Sequence, residues 1–283
     1  MFRPLQRVWR PSPFLHPLTA IRTTRPTPVL STLRTLVTVS PKRHATPQAL
    51  LFAGFGLAGA LSLGVAYCEA NERPGYRIEP DSKHSFPETI TVDGETRHLV
   101  GLGVRKVSFL KVNVYVVGLY ISEKDLSRLR GSTSWKGFRT EDFLESNRLA
   151  EQLLNEPIDL TIRVEPIRTT NGAHLRDGFT RSLLQRLHDQ STDMSEDEER
   201  DIILAIQEFK NLFPKTVVKP GSAFLFTRKS NGVLRLTFQD NTVGDIPSSW
   251  LSKQFFLGYL GKEKPNSEGA RKDIAAGLET MLT

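Results

Sequence analysis

The chain has 283 residues, enough for a sizeable core, and a formal net charge of +7. The charge is unevenly placed: of the 38 Lys and Arg, eight lie before Glu69, where there is no Asp or Glu, and the remaining 30 face 31 acids. The body is therefore close to neutral, which excludes the basic footprint of a nucleic-acid partner, and the single cysteine, Cys68, excludes an internal disulfide framework.

Residues 1–48 are rich in Arg, Ser, Thr and Pro and lack acids, the composition of a mitochondrial presequence with no core of its own. Ala49 to Tyr67 is uncharged and close to the length of about 20 residues that spans a bilayer. It reads as a transmembrane helix. Gly56, Gly59, Ala60 and Gly64 would let such helices approach closely, so self-association through this segment is expected. Lys42 and Arg43 precede it; Glu69 and Glu72 follow. The positive-inside tendency then places it in the mitochondrial inner membrane, with the N-terminus in the matrix and the body in the intermembrane space. Residues 68–86, with Pro74, Gly75 and Pro80, read as a linker. The folded domain is expected over 87–283.

Within that domain, Thr89 to Val92 and Arg97 to Leu99 flank Asp93-Gly94, a hairpin signal. The longest β-rich run follows and predicts strands over 104–109 and 112–121. In the second strand Val112, Val114, Val116 and Tyr120 point one way, and Tyr115, Val117, Leu119 and Ile121 the other. Apolar residues on both faces mark a central strand covered above and below. Arg105 sits inside this apolar block and needs either an exit to water or an anionic partner. Helices are expected over 124–130 and 140–155, a strand over 158–164, and an amphipathic helix over 174–190 with Leu175, Phe179, Leu183 and Leu187 on one face. Ser195 and Glu198 form a capping box that opens the next helix. Strands over 223–228 and 233–239 meet through Asn231-Gly232, and helices over 250–260 and 267–282 close the chain. Hairpins interleaved with helices favour an antiparallel sheet with helices on one side, an α+β domain.

Several motifs are excluded by spacing. The six His show no HxxxH or HExxH arrangement. Ser195 to Arg200 is a helix start with favourable acids, not a catalytic carboxylate pair. Gly101 and Gly103 lack a third glycine and a following helix, so hairpin geometry explains them better than a phosphate loop.

The blocks Gly-Val-Arg (103–105) and Tyr-Val-Val-Gly-Leu-Tyr (115–120) resemble the chalcone isomerase superfamily. The likeness continues through Leu-Arg-Asp-Gly-Phe (175–179), Pro-Gly-Ser-Ala-Phe-Leu-Phe-Thr (220–227), Asn-Gly-Val-Leu-Arg-Leu-Thr-Phe (231–238) and Ile-Pro-Ser-Ser-Trp-Leu (246–251). With the presequence and membrane segment, the chain is most similar to the fungal mitochondrial branch, the altered inheritance of mitochondria family. The resemblance implies an open-faced β-sandwich, a large antiparallel sheet packed against a layer of helices with a ligand cleft between them.

In the plant enzymes the Arg of the Gly-Val-Arg strand anchors the ligand, and Arg105 matches it. A Thr of the next strand falls at Tyr115, a ketone-positioning Tyr near His174, an Asn near Arg181, and the specificity pair near Trp250 and Leu251. These departures argue against flavanone chemistry. The pattern is nearer the fatty-acid-binding members, in which an Arg and a Tyr on adjacent strands clamp a carboxylate, as Arg105 and Tyr115 would. Haem is a second ligand suggested by the fungal branch, with its propionates on Arg105 and His174 or His98 approaching the iron. The expected function is thus binding of a hydrophobic carboxylate by a membrane-anchored mitochondrial protein. The alternatives are an intramolecular lyase that uses Arg105 with Tyr115 or His174, and a structural protein of the inner membrane.

Overall fold

The computed structural model describes residues 74–107 and 112–283. The expected presequence and membrane helix lie outside the described residues. Among those described, no helix is long and apolar enough to cross a membrane.

The chain opens with a hairpin of β1 (Tyr76–Ile78) and β2 (Ser85–Pro87), then β3 (Thr89–Val92), β4 (Glu95–Val107) and β5 (Val112–Ser122). Helices α1 (Glu123–Gly131), α2 (Thr140–Glu145) and α3 (Arg148–Asn155) lead to β6 (Leu160–Pro166). The short β7 (Thr170–Asn171) precedes α4 (Gly172–Gln190) and α5 (Glu196–Asn211). The chain then forms β8 (Val217–Val218), β9 (Phe224–Arg228), β10 (Leu234–Phe238) and β11 (Asn241–Ile246), and ends in α6 (Ser249–Leu260) and α7 (Glu268–Leu282).

Seven strands make one sheet in the order β11-β10-β9-β6-β5-β4-β3, antiparallel throughout. Asp93 and Gly94, at φ 54° and 77°, form the turn between β3 and β4. Although β3 and β10 lie far apart in that order, Asp93 bonds Arg235 of β10 at 2.8 Å and Lys229 beyond β9 at 3.0 Å. The sheet is therefore curled, bringing its two edges together at this end.

β5 is central, as its two apolar faces require. Tyr115, Val117, Leu119 and Ile121 join the main core under the helices, while Val116 and Tyr120 join a second core with Phe86, Ile90, Leu99 and Leu102. This second core corrects the expected linker. Residues 76–87 are a hairpin, and Phe86 is fully buried over the face of β5 that the helices leave bare. His84 holds Glu165 at 2.7 Å, and Arg77 pairs with Asp273 of α7. Both cores lie within residues 74–283, the property expected of a body able to fold alone.

Three other expectations change. The helix predicted over 140–155 breaks at the extended Ser146, where Asn147 turns its side-chain oxygen to the Lys262 amide (2.7 Å) in place of continuing the helix. β11 escapes prediction because its residues are mostly exposed and the Gln239-Asp240 turn places two non-glycine residues at positive φ. Gly101 and Gly103 serve helix packing, not hairpin geometry. A Cβ on either would stand 2.4 Å from the Ile274 amide nitrogen or 2.3 Å from that of Ala270, so only glycine lets α7 lie directly on β4.

Candidate functional site

Arg105 and Tyr115 stand directly opposite each other on β4 and β5, which puts their side chains on one face of the sheet. That face is the one under the helices. The Tyr115 ring lies 5.8 Å from Phe179 of α4, and its hydroxyl lies 2.8 Å from the hydroxyl of Tyr259 on α6. Beside Gly103, the contact of β4 with α7 fixes the site's far wall. Ser267 caps α7 by accepting from Ala270 N–H and also donates to Val104 C=O (2.8 Å). The residue before it, Asn266, is thereby set against Arg105, whose Nη1 donates to the Asn266 main-chain oxygen (2.5 Å) and to its Oδ1 (2.9 Å).

Both phenols are buried in this constellation. Burial pushes Tyr115 above the usual phenol range, partly offset by the Arg105 charge and the bond with Tyr259. Tyr259 is raised further, by burial first and then by Tyr115. Both therefore stay neutral at physiological pH and act as O–H donors. The pair carries two O–H groups and shares one bond, so one donor is left over. Arg105 likewise has Nε and Nη2 without an acceptor among the described residues. The site is rich in donors and short of acceptors. Around it the wall is aromatic: Phe255 lies 5.8 Å from Tyr259 and 4.4 Å from Phe226, and Phe179 stands 5.4 Å from Phe226.

The remaining sequence candidates do not join this cluster. His174 and Arg181 are exposed on α4, whose inward face is built by Leu175, Phe179 and Leu183. Trp250 donates from Nε1 to Gln190 (3.0 Å) and sits about 13 Å along the α6 axis from Tyr259. Leu251 is core. His98 is opposite Ile121, and β5 rises about 20 Å between Tyr115 and Ile121. That is further than one haem reaches from its propionates to its iron, so Arg105 and His98 do not fit a shared haem. Among the described residues no group of three or more His, Cys, Asp or Glu is placed to hold a metal ion.

Tyr259 and Asn266 were missed by sequence reasoning. The one signal was Gly258, a glycine inside an otherwise aromatic helix, which usually marks a close approach.

A family model described as "Chalcone isomerase like" matches residues 95–275. The altered inheritance of mitochondria protein 18, mitochondrial, of Debaryomyces hansenii is 29% identical over 232 residues, covering 72% of this chain and 76% of that protein. Fatty-acid-binding protein 1 of Arabidopsis thaliana is 28% identical over 202 residues, covering 70% and 68%. Chalcone–flavanone isomerase 1B-1 of Glycine max is 30% identical over 202 residues, covering 67% and 85%. The crystal structure of an Arabidopsis thaliana fatty-acid binding protein superposes with a TM-score of 0.58 at 25% identity, covering 73% of this chain and 98% of that one.

Proposed function

The chain belongs to the chalcone isomerase-like family, and from that premise we propose that its domain binds a fatty acid, with the carboxylate held at Arg105 and the phenol pair of Tyr115 and Tyr259. The observation that carries this reading is the surplus of donors. The free edge of a half-buried guanidinium and a spare buried phenol O–H, beside the aromatic wall, suit an anionic acceptor on an apolar body. The fatty-acid-binding relative supports the same ligand class. Haem is set aside because His98 lies too far along the sheet from Arg105 and His174 is exposed on α4. The test uses residues 71–283, delipidated and titrated with a fluorescent fatty acid. Arg105→Ala should weaken binding about tenfold to a hundredfold, the worth of charge-assisted hydrogen bonds. A folded Arg105→Ala protein that binds as tightly as the wild type refutes the assignment.

An intramolecular lyase is the second reading, favoured by the flavanone isomerase among the relatives. The same donors would stabilise a developing oxyanion. Tyr115 then stands where the plant enzymes hold a Thr. Loss of chalcone absorbance above the uncatalysed rate would support this reading, and its absence would remove it.

The proposal places the protein in the mitochondrion, anchored in the inner membrane through residues 49–67 with the body in the intermembrane space. The acid-free presequence and the mitochondrial names of the fungal relatives support the organelle. Protease added to mitoplasts should degrade the body; protection there would overturn the orientation.

A further inference from the structure

Asn266 is seated from two sides. Its amide N–H donates to Gly258 C=O at 2.6 Å, and its Nδ2 lies so close over Gly258 that an added Cβ there would stand 2.7 Å away. Glycine inside a helix costs about 1 kcal/mol against alanine. Here it leaves the room that Asn266 occupies. On the other side, both Asn266 oxygens accept from the same nitrogen, Nη1 of Arg105. Nη1 carries two protons, and this chelate uses both. The guanidinium plane is thereby fixed, and its Nε/Nη2 edge stays free among the described residues. That edge can grip a carboxylate with two parallel N–H bonds. An amide suits this task because it orients the cation without neutralising it.

We propose that Asn266 is a positioning residue that presents the Nε/Nη2 edge of Arg105 to the ligand carboxylate, with Gly258 making its seat. The inference rests on the fatty-acid reading above and adds the device that sets headgroup selectivity. It predicts that the α6–α7 connection, and not only the two strands, decides whether an acid is chosen over an alcohol of equal chain length.

The test titrates residues 71–283 with palmitate and with hexadecanol, for wild type, Asn266→Ala, Asn266→Asp, Gly258→Ala and Arg105→Ala. Wild type should prefer the acid. Asn266→Ala should weaken palmitate binding about tenfold and leave hexadecanol binding unchanged. A merely structural role would weaken both ligands alike. Gly258→Ala keeps the asparagine but pushes it off its seat, and should act in the same direction. Asn266→Asp places a carboxylate on the guanidinium and should cancel the preference for acid. If Gly258→Ala fails to fold, the two Asn266 variants, which add no bulk, still decide. Tighter palmitate binding by Asn266→Ala would mean that Asn266 obstructs the seat, and an unchanged acid preference would mean that it is idle; either overturns the proposal. A wild type indifferent to the headgroup, or an Arg105→Ala protein that keeps its preference, defeats the carboxylate reading itself, and the role of Asn266 falls with it.

Discussion

The phenol pair gives the sharpest quantitative test. Tyr115 and Tyr259 share one buried hydrogen bond of 2.8 Å. Tyr115→Phe removes that bond and leaves the Tyr259 hydroxyl buried without a protein partner; Tyr259→Phe does the reverse. An orphaned buried polar group costs about 1–3 kcal/mol. The double Phe variant removes both hydroxyls and leaves no orphan, so it should cost no more than one single substitution. The coupling energy in a double-mutant cycle is then about 1–2 kcal/mol, well above the additivity error of about 0.3–0.5 kcal/mol. In urea unfolding, with a slope of about 2–3 kcal/mol/M, each single variant should lower the midpoint by roughly 0.5–1 M, and the double variant by less than the two together. Fatty-acid titration supplies the second readout. Each single variant keeps one phenol free to donate and retains part of the affinity, whereas the double variant loses the whole phenol contribution. Additive unfolding costs would refute the shared bond. A double variant that binds as well as either single variant would refute the role of the phenols at the headgroup.

Four further outcomes follow from contacts elsewhere. Arg271 is buried and donates to the carbonyls of Phe143, Leu144 and Leu260, so Arg271→Ala should cost about 3 kcal/mol in urea unfolding; Lys, a single point donor, should recover little of it. Burial raises the Glu165 carboxyl, but the His84 bond and the Arg163 guanidinium outweigh it and hold it below the usual glutamate range. Its stabilising contribution is therefore present above the ordinary glutamate range and is lost as pH falls through the lowered value. Glu165→Gln should cost about 2–3 kcal/mol near neutral pH, with the difference from wild type shrinking towards acid. Phe86→Ala should cost about 3–5 kcal/mol and expose residues 74–87 to limited proteolysis, since this ring anchors the hairpin in the second core. Gly103→Ala should lower the unfolding midpoint by more than an ordinary overpacking change of about 1–3 kcal/mol, because its Cβ meets the backbone of α7 and not a movable side chain.

Several features that depend on near neighbours were legible in the sequence. The Asp93-Gly94 turn, the two apolar faces of β5, the four-residue apolar spacing of α4 and the Ser195 cap each depend on residues a few positions apart. Half of the proposed site was legible in the same way, because Arg105 and Tyr115 are opposite across one hairpin and share a family signature. The other half was hidden. Tyr259 and Asn266 reach the pair only because α6 and α7 fold back over β4 and β5, far away along the chain. Trp250 lies at the far end of α6 from Tyr259, and His174 and Arg181 fall outside the cluster for the complementary reason. A helix of one period turns Phe179 inward and necessarily turns its neighbours on the other side to solvent.

The sequence by itself determined the near-neutral body, most of the strand and helix types and the central position of β5, since composition, periodicity and turn chemistry are local quantities. Only the tertiary structure decided that residues 76–87 are a hairpin on a second core, that Gly101 and Gly103 exist for α7, and that Arg105 is held by Asn266. Each of these is a close approach between segments remote in sequence. Whether a backbone needs the space of a glycine, or a guanidinium finds an acceptor, depends on what arrives from elsewhere in the chain.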